Sequence, residues 1–447
     1  MRGGRYPGAQ HVQPTEVGST GVVARRLLSG FPITDETRMI LRRLPLLLAL
    51  ALSVPLSAQA IEFSAAELQR AKALQQRLLT LDSHLDTPAN FAREGFDIDN
   101  RHDHNALSQV DYPRMVDGAL DGGFWAIYTG QSERTAAAHL RDRDAGLQRL
   151  LEIRTMVAAN ADRFALALTP ADARRIKADG KRVVFISMEN ASPLVADPSL
   201  LHFYHQAGLR MLSTVHFANN EFADSATDPK GPEWDGLTAK GKALVMDAVK
   251  QGIVIDQSHA SDAVFDQLIA MMPVPFVLSH SASRAIHDHP RNLDDTRLRR
   301  LAKAGGVIQV NAYGGYLVDP GKSPQRKAAE DALSERLGGW EAMTIAQGAE
   351  LQRGEAALDA TYPVRHATLD DFFAHMGHLL DVVGPEHVGI GLDWDGGGGL
   401  TDLRDVSDLP KITAWLLRRG YDEKQIAGIW GGNLLRVMQQ AQDHAAR

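Results

Sequence analysis

Seven residues with metal-ligand or acid–base chemistry stand at the ends of apolar runs. His84 and Asp86 close "LLTLDSHLD", Glu189 closes "RVVFISME", and His216 closes "LRMLSTVH". His259 closes "GIVIDQSH", His280 closes "VPFVLSH" and Asp393 closes "HVGIGLD". One His-x-Asp pair after an apolar run is ordinarily a solvated turn; the same kind of ending at six runs asks for a shared purpose. The chain of 447 residues has no cysteine, so any ligand set is built from imidazole and carboxylate, which suits Zn²⁺ or a similar divalent ion. The set is too large for one tetrahedral site that keeps a position open for water. It fits two ions roughly 3.5–4 Å apart with a bridging carboxylate, and Glu189, a long side chain with an oxygen for each ion, is the natural bridge. Hydroxide held between two cations is a nucleophile at neutral pH, because binding lowers the pKa of water to about 7. The expected chemistry is hydrolysis at a dinuclear centre.

Such a centre needs elements that bring residues more than 300 positions apart to one place. Eight short runs, continuously apolar rather than alternating, read as parallel strands buried on both faces: 78–84, 122–129, 182–188, 209–215, 252–258, 274–279, 305–312 and 387–392. Helical patterns such as 132–159, 239–251 and 368–383 lie between them. Eight strands with helical connections predict an α/β fold, a (β/α)₈ TIM-like barrel with helical insertions; a doubly wound open sheet is the structural alternative. In a barrel the C-terminal strand ends meet on one face, where the dinuclear site is expected. Ser64 and Glu67 have capping-box spacing and open the first helix. Two insertions, 221–238 and 313–365, read either as an active-site lid or as surface decoration or an oligomer contact, and "GGGG" (396–399) as a mobile loop. His102 and His104 fall in a loop pattern, His202 and His205 on a solvated helix face, and His287 and His289 near the rim after the sixth run.

The opening of the chain has a different character. Residues 39–60 combine Arg42 and Arg43, an apolar stretch and Ser57-Ala58-Gln59-Ala60 before Ile61, the layout of a secretory signal peptide. Residues 1–38 are expected to be a non-native extension, with translation starting at Met39. The domain then runs over 61–447. Residues 1–60 carry seven of the 48 basic and three of the 55 acidic residues, leaving 41 against 52 and a formal charge of −11. That charge, with no long basic stretch, argues against a nucleic-acid partner. The apolar stretch is short for a membrane span and no hydrophobic tail closes the chain. The expectation is an exported, periplasmic protein with no stable membrane anchor after signal cleavage, and N-terminal sequencing of the secreted form is its test.

With these motifs in place ("DSHLD", "SMEN", "GLRMLSTVH", "VIDQSHAS", "VLSHSASR", "HPRN" and "GIGLDWDG"), the chain resembles the membrane dipeptidase (renal dipeptidase) family of zinc metallopeptidases, amidohydrolase-like barrels. The likeness runs from about residue 78 to "GGNLLRV" (431–437). It implies two Zn²⁺ per chain, one held by His84, Asp86 and Glu189 and one by Glu189, His259 and His280. It implies that His216 polarises the scissile carbonyl, that Arg291 binds the substrate's free carboxylate and that Asp393 moves the proton. It further implies a homodimer, a dipeptide substrate and tolerance of a D-residue on the C-terminal side. Asn190 stands where many members have Gly, Gln257-Ser258 where Leu-Ala is common, and 313–365 is long for the family. Two other readings stay open: an amidohydrolase of cyclic amides or lactams, and a non-catalytic zinc-dependent peptide binder. Arg291 favours a linear substrate over the first, and Asp393, a proton shuttle a binder does not need, tells against the second.

Overall fold

The computed structural model describes residues 61–130, 132–340 and 342–447. The expected extension (1–38) and signal segment (39–60) lie outside the described residues. All eight expected runs form parallel strands: β1 (Leu81–Leu85), β2 (Gly122–Tyr128), β4 (Arg182–Glu189), β5 (Leu209–Ser213), β6 (Val254–Asp256), β7 (Val277–Ser281), β8 (Val307–Val310) and β9 (Val388–Ile390). A further short strand, β3 (Phe164–Leu166), pairs with the start of β4. The order β1-β2-β4-β5-β6-β7-β8-β9 is that of a barrel. Near-closure comes from a parallel bridge between Leu85 and Trp394 just past β9, and from the Asp82 carboxylate accepting the Leu392 amide. The barrel reading holds and the open doubly wound sheet does not.

The barrel is plugged at the bottom by apolar contact. Residues at the starts of several strands, Leu81, Val183, Val254, Val277 and Val307, cluster with Leu434, Val437 and Met438 of the C-terminal helix Asn433–Ala445. Higher in the barrel the interior turns polar, and two buried carboxylates there are tied down. Asp256 accepts from the amides of Ser258 and Ser279 at 3.0 and 2.8 Å and from the Ser279 hydroxyl at 2.6 Å. Asp82 accepts from the His84 amide at 2.9 Å. These buried acceptors fix the backbone immediately below His84, His259 and His280, which is how a rigid strand end aims a ligand.

The helical patterns also hold. Helices occupy Ala136–Ala159, Ala239–Lys250 and Leu369–Val383, and the Ser64–Glu67 capping box opens the helix Ala65–Arg77. The 313–365 insertion forms the helices Pro324–Arg336 and Gly348–Thr361, linked through a small core of Leu333, Leu337, Met343 and Ile345. Arg326, buried between them, pairs with Glu330, Glu355 and Asp359. No helix among the described residues is long and apolar enough to cross a membrane.

Candidate metal centre

The seven strand-end residues converge on the C-terminal face, and all are buried. Glu189 lies at the middle, with its two oxygens facing different partners. Oε2 is 3.4 Å from His84 Nε2, while Oε1 is 3.0 Å from His259 Nε2 and 3.5 Å from His280 Nε2. Asp86 Oδ2 is 3.4 Å and Asp393 Oδ1 4.0 Å from His84 Nε2; His216 Nε2 is 3.9 Å from Glu189 Oε1. Donor atoms of these residues fall into three overlapping groups able to hold a cation: His84–Glu189–His280, Glu189–His216–His259 and His84–Asp86–Asp393.

Backbone conformation at the strand ends is unusual in the same places. Asn190, His259 and Asp393 have φ of 68°, 71° and 64°, in the left-handed region that costs most L-residues roughly 1–2 kcal/mol. The turn at His259 is held by Gln257, whose side-chain amide donates to Ala260 O at 2.9 Å. Asparagine at position 190 is among the residues that tolerate this conformation. Its amide also donates to Thr129 O at 3.0 Å and its oxygen accepts from Ser192 and Asn220.

Does this donor set fit metal ions? Burial pulls the His84 imidazole down, but Glu189 and Asp86 outweigh it and hold it well above the usual range. Burial, reinforced by Arg291, holds His259 and His280 well below theirs, and His216 is pushed down to about 3 by burial, Arg291 and His84. Burial also raises Glu189, and lifts Asp393 well above the usual carboxylate range beside Asp86 and Glu189. Three imidazoles that resist protons, His216, His259 and His280, are packed with carboxylates that resist ionisation, and cations at their centre would compensate both. His84 Nε2 is buried without a hydrogen-bond partner, and the Nε2 atoms of His259 and His280 face each other at 2.8 Å. Ser279 Oγ, committed as donor to Asp256, can only accept from His280 Nδ1 at 2.8 Å, which leaves the His280 Nε2 lone pair facing the site. The residues fit divalent cations.

The surroundings differ from the expectation in one respect. The "GGGG" loop is pinned rather than loose: Gly398 N donates to Asp393 O at 2.7 Å and Gln109 Nε2 to Gly398 O at 2.8 Å. A Cβ at Gly396 would lie 2.0 Å from Asp86 Oδ2 and 2.4 Å from Asp393 Oδ1, so glycine is required by close approach. Arg291 is buried; its guanidinium donates to His280 O at 3.0 Å and lies 5.0 Å from the centre of the Tyr316 ring. His289 packs on that ring from the rim, whereas His102, His104, His202 and His205 lie elsewhere, with His104 bound to Asp405. The 221–238 loop folds back through an Ala223–Leu237 bridge and an Arg134–Glu233 pair.

A cavity of about 620 Å³ opens above Asp86, Glu189, His216, His259 and Asp393. Its walls include residues that sequence reasoning missed: Tyr128, Tyr313, Tyr316 and Trp340, together with Asp142 and Arg149 from the helix Ala136–Ala159. Tyr128 lies one residue before the end of the run 122–129 and so had a strand-end signal; Trp340 carried no sequence signal, because only folding of the insertion brings it to the rim.

Comparison with known proteins gives the family and the fold. A family profile described as membrane dipeptidase (peptidase family M19) matches residues 68–447. The dipeptidase ataJ of Aspergillus terreus is 30% identical over 407 residues, covering 85% of this chain and 88% of that protein. Dipeptidase 3 of Rattus norvegicus is 28% identical, covering 84% and 67%. The crystal structure of the probable dipeptidase PvdM from Pseudomonas aeruginosa superposes with a TM-score of 0.73 at 29% identity, covering 86% of this chain and 100% of that one.

Proposed function

Because the chain belongs to the membrane dipeptidase family, peptidase family M19, and is a hydrolase of that type, we propose that it cleaves the single amide of linear L-L and L-D dipeptides with two divalent cations, zinc by ligand type. The exported form would begin near Ile61 and work in the periplasm. The observation that carries this reading is Glu189, whose two oxygens face His84 on one side and His259 and His280 on the other.

His84, Asp86 and Glu189 would hold one ion, and Glu189, His259 and His280 the second. Bound there, the ions supply Lewis acidity and bring the pKa of water near 7, making a nucleophile available at neutral pH. Asp393, whose burial raises its proton affinity, is suited to take a proton from the attacking water and return it to the departing amine. His216, kept neutral by burial, can donate from one ring nitrogen to the oxygen that becomes negative as the carbonyl is attacked, a contact typically worth a few kcal/mol. Arg291 places a fixed positive charge beside the site, the counter-charge for a substrate's free carboxylate.

The test is hydrolysis of an L-L and L-D dipeptide panel by enzyme stripped of metal and reloaded with zinc, with Asp393→Asn in parallel. Restored cleavage is expected, with kcat reduced about 10²–10⁴-fold in the variant while metal content stays the same. Two zinc ions per chain without cleavage of any dipeptide would defeat the reading.

A further inference from the structure

The helix Ala136–Ala159 buries one stripe against the barrel, which includes Ala138, Asp142, Gly146, Leu150 and Ile153. Its rotation is fixed at Gly146, where a Cβ would lie 2.7 Å from the Tyr204 hydroxyl and 2.8 Å from Pro193. Four of those positions hold the small or apolar residues a core stripe requires; the fifth holds a carboxylate. Asp142 is 8% exposed. Among the described residues its hydrogen-bond partner is Ser132, whose hydroxyl donates at 2.6 Å, and no Arg, Lys or His among them pairs with it. A carboxylate buried without a cation is costly, and a sequence keeps one where something else supplies the charge.

Asp142 lines the cavity above the metal centre. The basic groups on the same wall are already engaged. Arg149 pairs with Glu152 at 2.7 Å, and Arg93 donates to the carbonyls of Trp340 and Met343. Small side chains, Ala89, Ala92 and Ala145, line the space beside it.

Topology tells which part of a substrate would reach Asp142. Its helix follows β2, and Arg291 follows β7; in the order β1-β2-β4-β5-β6-β7-β8-β9 these strands stand four apart in a ring of eight, on opposite sides. A dipeptide whose carboxylate points to Arg291 presents its N-terminal residue to the β2 side. Asp142 sits on a helix, one layer outside the strand ends that carry the ligands, with Thr129 and Gly130 lining the cavity at the end of β2. That position suits the end of a long side chain, such as an ammonium on a four-carbon stem or a guanidinium.

We propose that Asp142 is a specificity residue that receives the cationic side chain of a basic N-terminal residue, so that this enzyme favours dipeptides beginning with lysine, ornithine or arginine. The inference rests on the dipeptidase reading above.

The experiment compares kcat/KM for L-lysyl-L-alanine and L-norleucyl-L-alanine, which differ in the terminal ammonium, using wild type, Asp142→Asn and Ser132→Ala, each reloaded with zinc. Wild type is expected to favour the lysyl substrate about tenfold or more, the scale of one charged hydrogen bond. Asp142→Asn should bring the ratio to about one, with the loss falling on the lysyl substrate, while Ser132→Ala keeps the ratio. Equal use of both substrates by wild type overturns the proposal. So does a ratio that survives Asp142→Asn, or an equal loss on both substrates in Asp142→Asn and Ser132→Ala, which would make the pair a loop tie. If wild type cuts neither dipeptide, the dipeptidase reading itself has failed and this inference falls with it.

Discussion

At Asn190 one residue joins local strain to the geometry of the site. It follows the central carboxylate Glu189 directly, holds φ at 68°, and ties the ends of β2 and β4 together through Thr129. Replacing it with alanine keeps the strain and removes the hydrogen bonds that offset it. Asn190→Ala is therefore expected to destabilise by about 2 kcal/mol or more. Asn190→Gly, which relieves the strain, should cost less. Chemical unfolding of the two variants compares them, and an alanine variant as stable as the glycine one would refute the account.

At the scale of elements, the glycine loop after β9 shows composition and packing pointing in opposite directions. Four consecutive glycines suggest mobility, yet the loop is closed against Asp393 and Gln109 and lies too close to Asp86 for any side chain. In Gly396→Ala the new methyl group must push the Asp86 carboxylate out of place. The expected outcome is a 10–100-fold loss in metal affinity with circular dichroism unchanged, read from metal content after dialysis. Full metal retention would mean that the loop has more freedom than its contacts suggest. The 313–365 insertion is another element whose role comes from packing: its charged helices are cross-tied by Arg326, and the link between them carries Trp340 to the cavity rim.

For the whole molecule, pH stability has a source away from the metal centre. His375 is buried in the helix Leu369–Val383, accepting from the Ser283 amide at 3.1 Å and donating to Leu317 O at 2.9 Å. Burial pushes its pKa down to about 4, against the opposing pull of the Leu317 carbonyl. The unfolded chain, with an ordinary histidine near 6.5, binds the extra proton first as pH falls. The neutral His375 thus contributes stability that is complete above about pH 6.5 and is lost as pH drops toward 4, up to roughly 3 kcal/mol. Unfolding measured at pH 7 and pH 4.5 should show a smaller drop for His375→Gln than for wild type. An equal drop would place the acid sensitivity elsewhere.

Much of this was legible in the sequence, for a physical reason. Strands buried on both faces must be apolar throughout, so each strand of the barrel announced itself as a short run. The residue that broke the run, His84, Glu189, His216, His259, His280 or Asp393, announced itself as the strand end. β3, Phe164–Leu166, was missed; it pairs only with the start of β4 and lies outside the ring of eight. Tertiary structure alone decided that the Arg291 guanidinium lies over the Tyr316 ring and that "GGGG" is held rather than free. It alone turned Asp142 from one polar residue in a helix into a buried carboxylate lining the cavity, with no cationic partner among the described residues. Those facts depend on helix rotation and on approach between segments far apart in the chain. Neither leaves a trace in residue spacing, because spacing records what one element buries and not what another element brings to it.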